Sequence, residues 1–156
     1  MIASLLFGTG KRRTPSGLVG AAIKAYAALV AVWVIYNVII IVTDIFGMTI
    51  IFLSAMLVLI FLTLAPTTSS KSENPGVFDW ILAAISAASG VFFWWNLDEI
   101  TNRITLFDPL SPWELSFGIV IVLLVLEATR RSVGGGLTLI VLIFIVYNLF
   151  GHLLSG

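Results

Sequence analysis

Long aliphatic runs separated by short polar breaks mark out this chain, and most of the runs have the length of a membrane crossing. The pattern predicts five helical spans, at residues 18–43, 48–65, 77–95, 111–129 and 133–154, behind a head of residues 1–17. About 20 residues at ~1.5 Å each cover a hydrocarbon core of roughly 30 Å, and the fourth run nearly matches that length. Only residues 44–47 separate the first two spans, which predicts an antiparallel hairpin, and Pro66 stops the second. Residues 66–76 combine turn formers with small polar side chains and read as a loop.

Local signals sharpen the ends of these elements. Thr14-Pro15-Ser16-Gly17 reads as a helix start with Ser or Thr capping. Ser111-Pro112-Trp113-Glu114 has Ser as cap, Pro at the first helical position and Glu three residues after the Ser, which is a capping box. The third span carries Asp79 and Trp80 at its start and Trp94 and Trp95 at its end; the tryptophans suit the two interfaces, and Asp79 suits the positive end of a helix dipole. Within that span the four-residue spacings Ala83 to Ala87 and Ser86 to Gly90 would let a second helix approach closely. Residues 96–110 are polar, with Asp98, Glu99, Arg103 and Asp108, and predict a short helix along the surface.

The composition places the whole pattern in a bilayer. Of 156 residues, 60% are hydrophobic and 10% charged, with a mean hydropathy of +1.13, far from soluble averages. The reading is an all-α integral membrane protein with a single transmembrane helical domain over residues 18–156. An alternative has four spans, with the Gly-rich last segment re-entrant or peripheral. The run behind Lys11-Arg12-Arg13 is far longer than the roughly 7–15 residues of a cleavable signal core, so the first span is expected to stay in place.

Charge adds an orientation. With the N-terminus cytoplasmic, Lys11, Arg12, Arg13, Lys24, Lys71, Arg130 and Arg131 all lie inside and only Arg103 outside. The opposite placement reverses this, so the positive-inside rule predicts a cytoplasmic N-terminus and, with five spans, a periplasmic C-terminus. Asp44, Asp98, Glu99, Asp108 and Glu114 then face the periplasm.

Little catalytic chemistry is on offer. There is no cysteine, and the single histidine, His152, cannot hold a zinc ion alone. No nucleophile pairs with a base, no basic stripe suggests nucleic acid, and ionisable residues stay near span ends. No cofactor is expected. Glu127 meets Arg130 and Arg131 at helical spacings of three and four, an interfacial ion pair that fixes the depth of the fourth span. Lys24, Arg130 and Arg131 are candidate contacts for phospholipid headgroups. Asp98, Glu99 and Arg103 are a candidate docking patch for a periplasmic partner, against the plainer reading of a solvated loop.

One stretch carries a family resemblance. "LVLEATRRSVG" followed by an aliphatic helix ending in "YNLFG" resembles the small-subunit region of TRAP (tripartite ATP-independent periplasmic) transporters, most of all the TAXI branch. A looser likeness extends upstream through Phe78-Asp79-Trp80 and through Asp98, Glu99 and Arg103. In that branch the region is usually fused to a large permease, whereas here the sequence stops at Gly156; Gly135 and Gly136 stand where bulkier residues are common. The resemblance implies a stand-alone small subunit in the bacterial inner membrane, packed beside a large TRAP permease and offering surface to a periplasmic substrate-binding protein. Uptake of an organic acid would be driven by an ion gradient, with the Na+ or H+ and substrate sites on the permease. The small subunit of a tripartite tricarboxylate transporter, expected to lack "LEATRR", and a non-transport membrane adaptor are the alternatives.

Overall fold

The computed structural model describes residues 10–40, 44–67, 73–104 and 107–151. They form six helices: α1 (Gly17–Ile40), α2 (Ile45–Thr63), α3 (Val77–Trp95), α4 (Leu97–Asn102), α5 (Pro112–Ser132) and α6 (Gly135–Phe150). Four of them, α1, α2, α3 and α5, are long and apolar enough to cross a membrane. At 16 residues α6 is shorter, about 24 Å at ~1.5 Å per residue. The predicted fifth span is thus a short apolar helix among the described residues; the rest of its predicted range from residue 152, with His152, lies outside them, as does Lys71.

The boundaries follow from side chains that complete the helix ends. Asp44 Oδ1 accepts the Phe46 and Gly47 N–H groups at 2.6 and 3.1 Å, so α2 begins three residues earlier than its apolar run. The capping box at α5 forms as expected: Ser111 Oγ accepts the Glu114 N–H at 3.2 Å, and Glu114 Oε2 accepts the Ser111 N–H at 2.7 Å. At its other end α5 runs to Ser132, beyond the predicted residue 129, because Glu127 holds Arg130 and Arg131 on the same helix. The turn into α6 is only Val133 and Gly134. Gly134 has a φ of 104°, a backbone region that glycine adopts without strain. The predicted surface helix in the polar segment is α4.

Packing centres on α2. Its Leu57, Val58, Phe61 and Leu62 meet Ile23 of α1, Ala83 of α3, and Leu124 and Ala128 of α5. The seam of α3 toward α2 runs through Asp79, Ala83, Ser86 and Gly90, all buried. Ala87, paired with Ala83 in the sequence reading, is exposed and lies at the edge of this seam, lining a groove with Ser54, Ala55 and Gly90. A methyl group at Gly90 would lie 2.6 Å from Ser54 Cβ, so here the glycine is what allows the two helices to touch. Large aliphatic side chains such as Leu29, Val32 and Ile35 point outward from α1, and almost all of α6 is exposed. Such surface belongs in lipid or against another membrane chain.

The helices alternate in direction, and this sorts the charges. Gly47, Trp94 and Leu97 come together at one end, near which Arg103 pairs with Glu114. The head, the end of α2, the start of α3 and the end of α5 meet at the other. The second end holds the basic residues of the head and of α5.

The α2–α3 contact gives a prediction. Gly90→Ala should destabilise the purified chain by about 1–3 kcal/mol through overpacking against Ser54. Gly118→Ala, at a glycine with nothing within 4 Å of the added methyl, should be neutral or slightly stabilising. Thermal unfolding in mild detergent compares the two, and adding Ser54→Gly should recover part of the Gly90→Ala loss.

Candidate functional site

The basic end of the bundle is organised by Arg131, in the last turn of α5. Its side chain is 0% exposed, and almost every group that encloses it comes from a different part of the chain. Nε donates to Glu127 Oε1 at 2.7 Å, one turn back on the same helix. Nη1 donates to Asp79 Oδ1 at 2.7 Å, in the first turn of α3, and to the Leu64 carbonyl at 3.1 Å, just past α2. The guanidinium carbon lies 5.1 Å from the centroid of the Phe61 ring, a cation–π distance.

Two more arginines complete a five-residue network. Arg13 of the head places Nη1 2.6 Å from Asp79 Oδ2, and both side chains are nearly buried. Arg130 grips Glu127 with two bonds, Nε to Oε2 and Nη2 to Oε1, each at 2.8 Å, and Nη2 also reaches the Pro66 carbonyl at 3.1 Å. Asp79 additionally accepts the Gly76 N–H at 3.0 Å, which caps α3. Each carboxylate therefore bridges two guanidiniums, and each guanidinium but that of Arg13 reaches a main-chain carbonyl as well.

Main-chain bonds hold residues 10–13 of the head in place over this network. Gly10 N–H donates to the Arg131 carbonyl at 2.8 Å, Arg13 N–H to Thr63 at 2.8 Å, and Ala65 N–H to Lys11 at 2.9 Å. Arg12 and Leu64 thus form an isolated antiparallel bridge. Alternation along an extended strand then turns Arg13 inward and its neighbour Arg12 outward, and Lys11 is exposed as well. In such a dry setting the network behaves as a structural clamp: removing one partner leaves an uncompensated buried charge.

Several sequence expectations are placed by this geometry. The Glu127, Arg130 and Arg131 contacts form as the helical spacing predicts. Arg131, however, is no candidate for a lipid headgroup, because its guanidinium is enclosed by Asp79, Glu127, Leu64 and Phe61. Lys24 is exposed and Arg130 partly so. Asp79, read as a helix-dipole acid, is 2% exposed and is the hub between Arg13 and Arg131. These partners lie 66 and 52 positions away in sequence, so no local pattern reports them. One signal was available: Arg130 can saturate Glu127 alone, so an adjacent Arg131 at a membrane boundary demands a second acid from that end.

At the opposite end the proposed trio divides. Arg103 Nη2 donates to Glu114 Oε1 at 2.5 Å and lies 4.0 Å from Glu99, tying the segment after α4 to the start of α5. Asp98 and Glu99 are exposed. Of the trio, Asp98 and Glu99 present acidic surface outward, and Arg103 is a brace. Among the described residues no group of three or more potential metal ligands gathers.

The fold and this charged end define an all-α, multi-pass membrane protein. Comparison of the chain with family models, curated proteins and solved structures returns no match.

The clamp predicts unequal effects of substitutions that sound alike. Asp79→Asn should cost about 3–5 kcal/mol, since Arg13 and Arg131 both lose a buried counter-charge. Arg12→Gln, at an exposed position, should stay within about 0.5 kcal/mol. Yield of monodisperse protein in detergent and its melting temperature measure both.

Proposed function

We propose that this chain is the small membrane subunit of a TRAP-type transporter of the TAXI branch, in the bacterial inner membrane. One observation carries the reading: the segment "LVLEATRRSVG", whose Glu127, Arg130 and Arg131 are the residues around which the basic end is built. The role is that of a non-enzymatic scaffold. The chain packs beside the stationary part of a large permease, widens its hold on the bilayer, and leaves the ion and substrate sites to that partner.

Physical logic supports a static role. A transporter that moves one domain past another gains from helices that resist being dragged along. A bundle with one end tied by a buried five-residue ion network is stiff where such drag would act. Broad apolar faces on α1 and α6 supply area for a partner chain. The basic end faces the cytoplasm by the positive-inside rule, and the end bearing Asp98, Glu99 and Asp108 faces the periplasm, where a substrate-binding protein arrives. If α6 crosses the bilayer, the chain leaves it on the periplasmic side.

Mild-detergent affinity purification of the tagged chain from its native membrane, with mass spectrometry of what accompanies it, tests this reading. Recovery of a large polytopic permease in equal amount is the expected result. Recovery of the chain alone, or only as a homo-oligomer, would favour an adaptor. Ion-driven uptake by liposomes holding this chain alone would overturn the scaffold role.

A further inference from the structure

The acidic end carries large apolar side chains on a segment that is otherwise polar. Between α4 and α5, Ile104, Phe107 and Leu110 are exposed, Phe107 to 84%, and Trp113 in the first turn of α5 is 72% exposed. Nothing in the bundle covers them.

Two contacts fix the depth of this segment. Leu97, which opens α4, lies over Gly47 in the first turn of α2, where an added methyl group would come 2.8 Å from its Cδ2. Arg103, just past α4, donates to Glu114 in the first turn of α5. The chain therefore turns back after α3 and crosses at the level of the helix ends. At 21 residues α5 is about 32 Å long, close to the roughly 30 Å of a hydrocarbon core. What is tied to its first turn thus lies at the edge of that core.

Polar and apolar groups of the segment are kept apart. Glu99, Asn102, Arg103, Asp108 and Pro109 line a cleft, and the exposed apolar side chains stand outside that lining. The turn also uses its own main-chain donors. Ile104 N–H goes to Asp108 Oδ2 at 2.9 Å, and the Phe107 and Asp108 N–H groups go to the Ile104 carbonyl, each at 3.1 Å. Pro109 has no N–H, and that of Ser111 is held by Glu114. A turn closed in this way can enter a water-poor zone without stranding these groups.

We infer that Phe107, Leu110 and Trp113 are seated in the bilayer leaflet at the acidic end, as an apolar anchor that holds the polar cleft at the membrane surface. The occupant is lipid because the patch sits at the edge of the hydrocarbon and continues an apolar surface: the exposed Leu115, Ile119 and Leu123 of α5 follow Trp113 into the span. Trp, Phe and Leu are side chains by which interfacial segments settle at this depth. With Asp98, Glu99 and Asp108 exposed on the same segment, the anchor holds by apolar contact and needs no anionic headgroup. It rests on the fold alone, whichever partner the chain has.

Single cysteines test the depth, since the sequence contains none. Phe107→Cys and Leu110→Cys probe the anchor, and Glu99→Cys and Asn102→Cys probe the cleft. All four positions are exposed and lie outside the Arg103–Glu114 pair. Each variant of the full chain carries a nitroxide label in phosphatidylcholine liposomes, diluted so that chains do not meet. Electron paramagnetic resonance reads collisions of the label with oxygen, which concentrates in hydrocarbon, and with a water-soluble nickel chelate. Oxygen should exceed nickel several-fold at Phe107→Cys and Leu110→Cys, with the reverse at Glu99→Cys and Asn102→Cys. Nickel exceeding oxygen at either anchor position would place the turn in water and overturn the anchor. Few collisions with both reagents there would show a cover of protein instead of lipid and overturn it equally.

Discussion

A guanidinium drawn into the edge of a bilayer must find acceptors for its N–H groups, and much of the basic end of this fold answers that requirement at Arg131. Water is scarce there, so the acceptors come from the protein. Glu127 supplies one from the same helix, Asp79 another from α3, and the Leu64 carbonyl a third from the end of α2. Satisfying one side chain thereby fixes three helix ends against each other. Asp79 then has a second oxygen to satisfy, and Arg13 brings the head in to do so. The head is held over the bundle by the consequences of a residue more than a hundred positions away.

The apolar contacts set how closely the helices approach, and the ion network sets how they are registered along their axes. Lipid removes most of the hydrophobic drive that joins helices in water, leaving close packing and polar contacts to hold a small bundle together. Here the division is spatial. Gly90 against Ser54 and the Phe61 cluster supply packing along α2 and α3, and the network closes the basic end. At the other end Arg103 and Glu114 make a smaller brace. The bundle is thus tied at both ends, with its outward faces left apolar.

Features carried by neighbouring residues were legible in the sequence. The four long helices follow from run lengths, the α5 start from its Ser-Pro-x-Glu pattern, and the Glu127 pairings from helical spacing. What could not be read depends on which helices become neighbours. Asp79 looks like any acid in a first turn until α5 is placed beside it. Ala87 looks equivalent to Ala83 until the seam of α3 is known to run through residues 83, 86 and 90. Arg103 looks like part of an outward acidic patch until the turn of the chain brings Glu114 within reach. The last apolar run matched a full crossing in composition, yet its described helix, opening at Gly135, is only 16 residues long.

The buried network, rather than the apolar packing, docks the head. The chain has no cysteine of its own, so Arg12→Cys combined with Leu64→Cys reports this directly. As a non-hydrogen-bonded antiparallel pair, positions 12 and 64 stand about 4.5 Å apart at Cα, within the range of roughly 4.4–6.8 Å that a disulfide accepts. In membrane vesicles under mild oxidation the pair should crosslink readily, and adding Asp79→Asn should abolish the crosslink while the helices remain inserted. Equal crosslinking with and without Asp79→Asn would show that the head docks without the charge of Asp79, and that the network does not bring it there.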